Sequence, residues 1–556
     1  MAKQAEPFLG LDFGTSTTLL AKTRGASGVE VMQLGKAEAW LPSIVGVRRR
    51  GDADILGEEA EMLPAGQVFR SVKRAITFDE PFARILLPDG ELVRKADDIA
   101  AGIVGEALRR ADWAKAKRKY AGARAGCPAM WDREQRSRFL AILSGAGLDV
   151  EPSELIDEPI AAAVAWVNNR RVAHGERVTG RLVVFDYGGG TLDIAVCEVQ
   201  WAADLPEITV LSCLGVPKAG DILDDSLLNY VREQMKDDPR YEGTPVQDAA
   251  IRREVRFAKE ALSTASETVL RLDEYGLPSL PLTRAELERE FRPQLHAALE
   301  DITAALRAAR LREKNPLSPV ELRALDGHAL DGTVDFVLLA GGMSRVPAVA
   351  DALQSRFSGA RVETVEGSGE GGVQNSQHLV VAGLVHDPTA YDRLNLHRPG
   401  FNLRVEWRRG EDPWGGKTMY HAHTPLYSAA DISSGNFSPN HRSEFRVPQD
   451  VRGSEARLVV TSQTGELLTL LLDGNVHDSL PVSRIFGGSD LSLNLYVTGK
   501  ILLKVNGHEE NFSLGAGELR MERWQVIRGS GSARRQVVLE RRSAGPTWTN
   551  QSHPHK

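Results

Sequence analysis

Two short segments of this chain share an arrangement of residues suited to holding a polyphosphate. In residues 8–16 and 182–191, an apolar run is followed by Asp, an aromatic residue, Gly and a cluster of Gly, Thr or Ser. Glycine lets a turn point several backbone N–H groups at one phosphate, and an Asp at a strand end can hold a metal ion or its waters. The two Asp residues, Asp12 and Asp186, lie 174 positions apart. Two such turns at matching points indicate a duplicated fold that grips one polyphosphate from both sides.

The elements around these turns alternate between strand and helix patterns. Each turn follows an apolar run, which is typical of a buried strand. Residues 96–119 and 160–168 carry apolar residues at helical spacing, and residues 220–315 are mostly helical in pattern. Residues 336–342 predict another buried strand, which ends at a glycine turn. The first 385 residues are therefore predicted to be α/β.

The pattern changes near residue 387. Beyond it, apolar runs that mostly alternate with period two are separated by Gly, Asp and Asn, which is typical of a β-sandwich. The predicted strands lie in residues 457–461, 466–472, 491–497 and 500–505. The chain therefore combines an α/β part with a following all-β part.

The composition excludes several classes of partner. A net charge of −7 gives the chain no general attraction to nucleic acid. Its three cysteines form no CxxC pair and have no metal-ligand spacing with His, which fits a reducing compartment. No run approaches the roughly 20 apolar residues of a membrane span, and the N-terminus shows no apolar signal core. We expect a cytoplasmic protein with no nucleic-acid or membrane partner.

Three further segments complete a pattern with the two turns. They are residues 71–74 with Lys73, residues 155–165 with Glu158 before Pro159, and residues 338–347 with a Gly-Gly turn. In order and spacing, the five segments resemble the heat-shock-seventy (DnaK-type) chaperones of the actin-like ATPase superfamily. The chain resembles a divergent member that lacks the helical lid. The resemblance implies a two-lobed α/β actin-like ATPase domain of duplicated ribonuclease-H-like halves, followed by an all-β sandwich-like domain.

The resemblance also implies a division of the chain into domains. Residues 1–386 would form the nucleotide-binding ATPase domain, and residues 387–400 would form a linker. Residues 401–530 would form the β-sandwich-like domain that binds a substrate or partner. Residues 531–556 are predicted to be a polar tail that is partly disordered.

The resemblance assigns a hydrolytic role to five residues. Asp12 and Asp186 would hold magnesium, mainly through waters. Lys73 would orient the attacking water, Glu158 would be a candidate general base, and Thr191 would contact the phosphates. Positive charge and N–H groups suit phosphoryl transfer, which spreads negative charge over phosphate oxygens. Taken singly, either Asp could be a helix or turn cap and Lys73 a surface cation, so the assignment depends on the joint pattern.

The resemblance implies ATP or ADP with Mg²⁺ as cofactors. The implied nucleotide-binding residues are Gly14, Thr15, Ser16, Thr17, Gly188, Gly189, Gly190, Thr191, Gly220, Arg256, Lys259, Ser263, Gly341, Gly342, Ser344 and Arg345. Lys259 and Ser263 are four positions apart and share a helix face, and Arg345 could stack on adenine. Arg256 stands where the family usually has Glu. Pro128 and Arg136 match the family's relay between the nucleotide and the partner domain.

Two functions fit this pattern. The first is an ATP-hydrolysing molecular chaperone of the heat-shock-seventy type, whose nucleotide state controls client binding by the β-domain. Its implied partners are protein clients, a J-domain co-chaperone and a nucleotide exchange factor. The alternative is an actin-like nucleotide switch or scaffold that binds one dedicated protein partner. A sugar or acetate kinase shares the phosphate turns, but the Lys73 and Glu158-Pro159 pattern and the added β-domain argue against it.

Overall fold

The structure of the chain is a computed structural model. It describes residues 7–24, 28–313, 317–365, 375–386, 388–391, 393–428, 431–432, 440–452, 454–510, 512, 518–528 and 535–542. The chain divides into two compact units. The first consists of Met1–Ala309 and Arg323–Arg393, and the second of Arg310–Leu322 and Leu394–Lys556.

The first unit contains both helices and strands. Its strands are β1 Phe8–Phe13, β2 Thr17–Arg24, β3 Gly28–Val31, β4 Leu41–Pro42, β5 Val45–Gly46, β6 Ile55–Leu56, β7 Val68–Phe69, β8 Phe82–Leu87, β9 Gly90–Lys95, β10 Gly122–Cys127, β11 Leu155–Asp157, β12 Gly180–Tyr187, β13 Leu192–Ala202, β14 Leu205–Val216, β15 Glu267–Leu270, β16 Leu280–Thr283, β17 Phe336–Ala340 and β18 Arg361–Thr364. The helices of the described chain are α1 Glu58–Glu61, α2 Val72–Thr77, α3 Ala96–Arg110, α4 Trp113–Ala116, α5 Arg133–Gly145, α6 Glu158–His174, α7 Gly220–Met235, α8 Pro245–Ala261, α9 Arg284–Arg310, α10 Pro319–Ala324, α11 Gly327–Asp331, α12 Pro347–Arg356, α13 Leu379–Leu384 and α14 Pro388–Tyr391.

Two sheets of the first unit have the same strand order. One runs β11-β10-β1-β2-β3, and the other contains β18-β17-β12-β13-β14. In each, the strand before a predicted phosphate turn lies parallel to one neighbour, β10 or β17, and antiparallel to the strand after the turn, β2 or β13. Asp12 in β1 and Asp186 in β12 therefore occupy equivalent positions in two repeated sheets.

The second of these sheets is buried at its centre. All five residues of β17 are buried, as are the last six residues of β12. Strands covered on both faces are expected to be continuously apolar, as in residues 182–185 and 336–340. This burial makes the sheet a rigid support for the turn that follows β12.

Two helices cross closely between the repeated sheets. A Cβ built on Gly383 of α13 would lie 1.9 Å from the carbonyl oxygen of Ala161 in α6, so the crossing requires glycine. A Cβ on Gly10 of β1 would lie 3.0 Å from the carbonyl oxygen of Val381. Small residues at these points let α13 pack against both α6 and the strand that carries Asp12.

The second unit is built mainly from strands. They are β19 Leu394–Asn395, β20 Asn402–Arg408, β21 Gly415–Tyr420, β22 Asn440–Arg446, β23 Ser454–Thr461, β24 Leu467–Leu472, β25 Asn475–His477, β26 Leu480–Ile485, β27 Asp490–Tyr496, β28 Ile501–Val505, β29 His508–Glu509, β30 Glu518–Met521, β31 Ile527–Arg528 and β32 Arg535–Arg542. One sheet contains β21-β20-β23-β24-β32-β30, and another runs β22-β27-β28-β29. Burial alternates along β20, β27 and β28, so each of these strands has one apolar face.

The β-rich unit extends beyond the predicted limit at residue 530. Strand β32 lies within the predicted polar tail and pairs in parallel with β24. Val537 and Leu539 on it are buried. The short apolar run between basic residues is therefore a strand, because its partner strand supplies the backbone hydrogen bonds. The rest of the predicted tail, residues 531–534 and 543–556, lies outside the described residues.

Other predicted boundaries also differ from the observed elements. The predicted linker, residues 387–400, contains α14 and β19. Residues 310–322 group with the second unit, although the sequence predicted them inside the first domain. In the part of the chain that the structure describes, no helix combines the length and apolar character needed to cross a membrane.

Candidate functional site

A cavity of about 230 Å³ in the first unit collects most of the predicted site residues. The predicted residues that line it are Asp12, Gly14, Thr15, Ser16, Thr17, Lys73, Glu158, Asp186, Gly188, Gly189, Gly190, Thr191, Arg256, Lys259, Ser263, Gly341, Gly342 and Arg345. They come from segments spread over more than 300 positions of the chain. The repeated sheets and helix α8 therefore bring separate parts of the sequence to one site.

The two glycine turns have the same internal hydrogen bond. The N–H of Gly14 donates to the carbonyl oxygen of Thr17 at 2.8 Å, and the N–H of Gly188 donates to that of Thr191 at 2.9 Å. Each bond joins the first and last residues of the turn between the antiparallel strands β1 and β2 or β12 and β13. The repeat predicted from sequence is therefore also a repeat of backbone conformation.

The two turns approach each other closely. A Cβ built on Gly190 would lie 2.5 Å from Oγ1 of Thr15, and one on Gly189 would lie 2.8 Å from Oγ of Ser16. A side chain at either glycine would therefore displace a hydroxyl group of the first turn. The glycines let the backbone of the second turn face the hydroxyl groups of the first, which makes a polar cradle suited to phosphate oxygens.

Four acidic residues lie around this cradle; Glu158, Asp186 and Asp193 are buried, and Asp12 is half-buried. Loss of hydration among protein atoms is the main reason that the pKa of Asp12 rises to about 7, and Glu158 adds to the shift. Burial also raises the pKa of Asp186 well above its usual value, with contributions from Glu158 and Asp193. Poorly hydrated carboxylates that repel one another are suited to a bound divalent cation, because its charge would favour their ionised forms.

Asp193 is a site residue that the sequence reasoning missed. It is 1% exposed, and its pKa rises to about 7 because of burial and nearby Glu158. Its Oδ1 accepts a hydrogen bond of 2.7 Å from the N–H of Ala129. The sequence offered one signal for Asp193, its position two residues after Thr191. That signal was weak, because an Asp near the start of a strand has no distinctive local pattern.

Lys73 and Glu158 form a buried ion pair. Nζ of Lys73 lies 2.5 Å from Oε1 of Glu158, and the two residues are 4% and 6% exposed. Burial would lower the pKa of Lys73, but the carboxylates of Glu158 and Asp12 outweigh that effect and the pKa stands above its usual value. Lys73 is therefore a permanent cation beside the acidic cluster.

Helix α8 forms another wall of the cavity. Nζ of Lys259 donates to Oδ1 of Asp224 at 2.6 Å and to the carbonyl oxygen of Gly220 at 3.1 Å. Gly220 does not line the cavity, and its carbonyl oxygen accepts one of these hydrogen bonds from Lys259. Arg256 lines the cavity and has no hydrogen bond or ion pair within the described part of the chain.

Two hydroxyl groups that were predicted to bind nucleotide form hydrogen bonds within the protein. Ser263 lines the cavity, and its Oγ donates to the carbonyl oxygen of Glu260 at 2.7 Å. Ser344 is buried and does not line the cavity, since its Oγ donates to the carbonyl oxygen of Gly341 at 2.6 Å. Its contact instead shapes the glycine turn. Gly341 has φ of 77°, and a Cβ there would lie 2.6 Å from Oδ1 of Asp186.

Several lining residues carried no sequence signal. They are Leu19, Trp40, Glu260, Met343, Val346, Ser376, Gln377 and Val380. Their types recur throughout the chain, and their spacing matches no phosphate-binding or metal-binding pattern. Only the folded arrangement places them on the cavity wall.

The predicted relay residues lie outside the cavity. Pro128 precedes Ala129, whose N–H contacts Asp193. Arg136 is 4% exposed, donates from Nε to the carbonyl oxygen of Trp131 at 3.0 Å, and forms an ion pair with Asp157. The segment that holds both predicted relay residues is therefore hydrogen bonded to the acidic cluster at one end and anchored by a buried guanidinium at the other.

Comparison with known proteins decides the family. A model of the Hsp70 protein family matches residues 88–367, which is half of the chain. The chain belongs to the Hsp70 family. The matched region of this Hsp70-family protein contains Glu158, Asp186 and helix α8, whereas the first phosphate turn and Lys73 precede it.

Curated proteins named as chaperones are similar to this chain at low sequence identity. The chain is 28% identical over 369 residues to the chaperone protein HscA homologue of Bordetella petrii, which covers 63% of this chain and 54% of that protein. It is 26% identical over 373 residues to the chaperone protein DnaK of Thermosipho melanesiensis, covering 64% and 56%. It is 27% identical over 367 residues to the chaperone protein DnaK of Thermotoga neapolitana, covering 64% and 56%. The matches therefore span little more than half the length of these relatives.

Proposed function

We propose that this Hsp70-family chain binds and hydrolyses ATP and that its nucleotide state controls the binding of a protein client by the second unit. The observation that carries the proposal is the pair of facing glycine turns, with Asp12, Asp186, Lys73 and Glu158 around the same cavity. The names of its relatives, DnaK and HscA chaperones, support the chaperone part of the proposal.

The residues present fit a nucleoside triphosphate with magnesium. The cradle depends on glycines whose Cβ atoms would collide with Thr15 and Ser16. The poorly hydrated carboxylates of Asp12 and Asp186 offer the hard oxygen atoms that magnesium or its waters prefer. Magnesium, when bound, neutralises phosphate charge and orients the phosphates. We propose that the turn residues bind phosphate and that α8 and the turn at Gly341 and Gly342 bind the nucleoside.

In the proposed reaction, Lys73 and Glu158 act on the attacking water. The ammonium group of Lys73 orients the water and stabilises negative charge that develops on the phosphate oxygens. Glu158 accepts the water's proton at its carboxylate. Thr191 and the backbone N–H groups of the second turn hold the phosphate oxygens in place. The buried position of Lys73 supports this assignment, because low polarity strengthens its interaction with phosphate.

We propose a modified division of the chain for this function. Residues 1–386 form the nucleotide-binding part, apart from 310–322, and residues 387–400 connect it to the β-rich part. The β-rich part begins near residue 401 and extends to residue 542, where β32 ends. In this proposal, Pro128 and Arg136 pass the nucleotide state towards the second unit.

A second candidate function is a switch that binds one dedicated protein partner. The family match ends at residue 367, so it includes none of the strands from β19 onward. The family therefore supports the ATPase part more strongly than general client binding. Short extended peptides that bind less tightly in ATP would favour the chaperone. A single stoichiometric protein partner and no peptide binding would favour the switch.

Single-turnover hydrolysis of labelled ATP tests the ATPase proposal. Lys73→Met is expected to slow hydrolysis at least about 100-fold, because an electrostatic group at the transferred phosphate is removed. Lys115→Met is the matched control, because Lys115 is exposed and pairs with Asp112 on the surface. The hydrolysis rate of this control is expected to be unchanged. Equal rates in the wild type and Lys73→Met would overturn the assignment. Transfer of phosphate to a small molecule instead of water would indicate a kinase.

A further inference from the structure

Ser71 has an unusual backbone conformation directly before the helix that carries Lys73. Its φ and ψ angles are 53° and 35°, in the left-handed region, and it precedes α2 as its N-cap. A residue with a Cβ is unfavourable there and persists only where its surroundings hold it. The conformation sets the direction in which α2 leaves the preceding strand, and therefore the position of Lys73 in its first turn.

The hydroxyl group of Ser71 does not make the usual cap. A serine at this position normally accepts a hydrogen bond from an N–H of the first helical turn, but the Ser71 side chain makes no such bond. Its Oγ instead donates to Oδ1 of Asp221 at 3.3 Å, across 150 positions of sequence. Ser71 belongs to the half of the unit that contains the first phosphate turn, and Asp221 to the half that contains the second.

Asp221 is tied to the second phosphate turn. It lies in the first turn of α7, and its backbone N–H donates to the carbonyl oxygen of Gly189 at 2.7 Å. Its other carboxylate oxygen, Oδ2, is buried and has no hydrogen-bond partner within the described part of the chain. The neighbouring acid, Asp224, is already engaged by Lys259. The carboxylate of Asp221 is therefore hydrogen bonded to the side chain of Ser71.

We propose that the Ser71–Asp221 hydrogen bond is a latch that joins the two halves and positions Lys73 for hydrolysis. Both residues are positioning residues, since neither lines the cavity. The inference rests on the proposed ATPase function. The path runs from Gly189 through Asp221 to Ser71 and then to Lys73, so it links the phosphate cradle to the cation that acts on the water. The latch therefore affects the hydrolysis step more than ATP binding.

The test separates the hydrolysis rate from the ATP dissociation constant in the full-length protein. Ser71→Ala and Asp221→Ala are each expected to slow single-turnover hydrolysis about tenfold and to leave ATP affinity within about twofold, as for loss of one hydrogen bond to a charged group. The double variant is expected to be no slower than either single variant, because one bond is lost. Asp221→Asn keeps an acceptor oxygen and is expected to restore most of the rate.

A second set of variants separates strain from the hydrogen bond. Ser71→Gly removes the hydroxyl and the unfavourable Cβ, so it is expected to raise the melting temperature while slowing hydrolysis. The matched control is Asp112→Gly, since Asp112 precedes α4 with φ of 52° and is not part of the site. This control is expected to leave the hydrolysis rate unchanged.

The possible outcomes are distinct. If Ser71→Ala and Asp221→Ala hydrolyse ATP at the wild-type rate, the proposed latch is wrong and the ATPase proposal is unaffected. Parallel losses of hydrolysis rate and ATP affinity, or additive losses in the double variant, also overturn it. A wild type that does not hydrolyse ATP overturns the ATPase proposal and the latch together.

Discussion

Nζ of Lys73 lies 2.5 Å from Oε1 of Glu158, and both side chains are buried beside the facing glycine turns. The pair joins α2 to the first residue of α6, across 85 positions of sequence. Removing one partner of a buried pair leaves the other charge without compensation. The pair therefore fixes the relative position of two groups that the proposed hydrolysis requires.

Glu158→Gln is expected to slow single-turnover ATP hydrolysis by about 100-fold or more, because an amide cannot accept the water's proton. ATP affinity is expected to change by only a few-fold, since the amide keeps the size of the carboxylate and can still accept a hydrogen bond. Rapid-quench hydrolysis and equilibrium binding of a fluorescent ATP analogue measure the two quantities. Glu134→Gln, an exposed change in α5, is the control. A similar rate in Glu158→Gln and wild type would exclude Glu158 as the base.

The acidic cluster predicts that the ligand-free protein loses stability as the pH rises. The pKa values of Asp12 and Asp193 are raised to about 7, mainly by loss of hydration. The folded state therefore holds protons that the unfolded chain releases near pH 4, and the resulting stabilisation is lost as the pH rises through about 7. From about pH 5 to about pH 8, the unfolding free energy is expected to fall by a few kcal/mol.

Thermal unfolding of the ligand-free protein across this pH range measures the effect. Asp193→Asn is expected to weaken the pH dependence of the unfolding free energy, because Asn does not ionise. Asp89→Asn, at an exposed position in the turn between β8 and β9, is expected to keep the wild-type slope. Magnesium with ATP is expected to offset more of the loss at high pH, since it binds the ionised carboxylates. A melting temperature that rises steadily with pH would contradict the prediction.

Gly190→Ala is expected to weaken ATP binding at least about tenfold. The added Cβ would lie 2.5 Å from Oγ1 and 3.3 Å from Cβ of Thr15, so the Thr15 side chain is displaced from the phosphate cradle or the two turns move apart. Isothermal titration with ATP and magnesium measures the affinity.

Gly105→Ala in α3 is the matched control for this substitution. A Cβ there meets no atom within 4 Å, and Ala favours a helix by roughly 0.5–1 kcal/mol relative to Gly. The control is expected to bind ATP normally and to be slightly more stable. Equal ATP affinity in Gly190→Ala and wild type would show that the facing turns do not hold the phosphates.

Arg136→Met is expected to destabilise the first unit by about 3–5 kcal/mol, because it leaves the buried carboxylate of Asp157 without its guanidinium partner. Burial would lower the pKa of Arg136, but nearby Cys127 and Asp157 raise it above its usual value. Urea unfolding followed by tryptophan fluorescence measures the loss. Arg133→Met, at an exposed position of the same helix, is expected to cost less than about 1 kcal/mol. A comparable effect of the two substitutions would contradict the buried-pair interpretation.

The sequence predicted the parts of the fold that depend on local patterns. The turns after β1 and β12 were visible because Gly, Thr and Asp occur there in a fixed order after an apolar run. The order of an α/β part before a β-rich part followed from the change in periodicity. The family was predicted from five segments and is confirmed by the match over residues 88–367.

The features that the sequence reasoning missed depend on distant partners. Asp193 looks like an ordinary strand residue until β13 brings it to the N–H of Ala129. Strand β32 has only three consecutive apolar residues, and its pairing with β24 makes it a strand. The hydrogen bonds from Lys259 to the carbonyl oxygen of Gly220 and from Ser344 to that of Gly341 also had no signal in the sequence.

By itself, the sequence determined where the backbone can turn tightly and which charged groups could serve a phosphate, since glycine, proline and apolar spacing act over a few residues. The tertiary structure decided which of these groups meet. The ion pair of Lys73 with Glu158 and the contact of Ser71 with Asp221 join residues 85 and 150 positions apart. Such contacts depend on how the sheets and helices pack. Burial strengthens interactions between charges and allows a residue in a strained conformation to persist. Neither effect can be read from the conformational preferences of neighbouring residues.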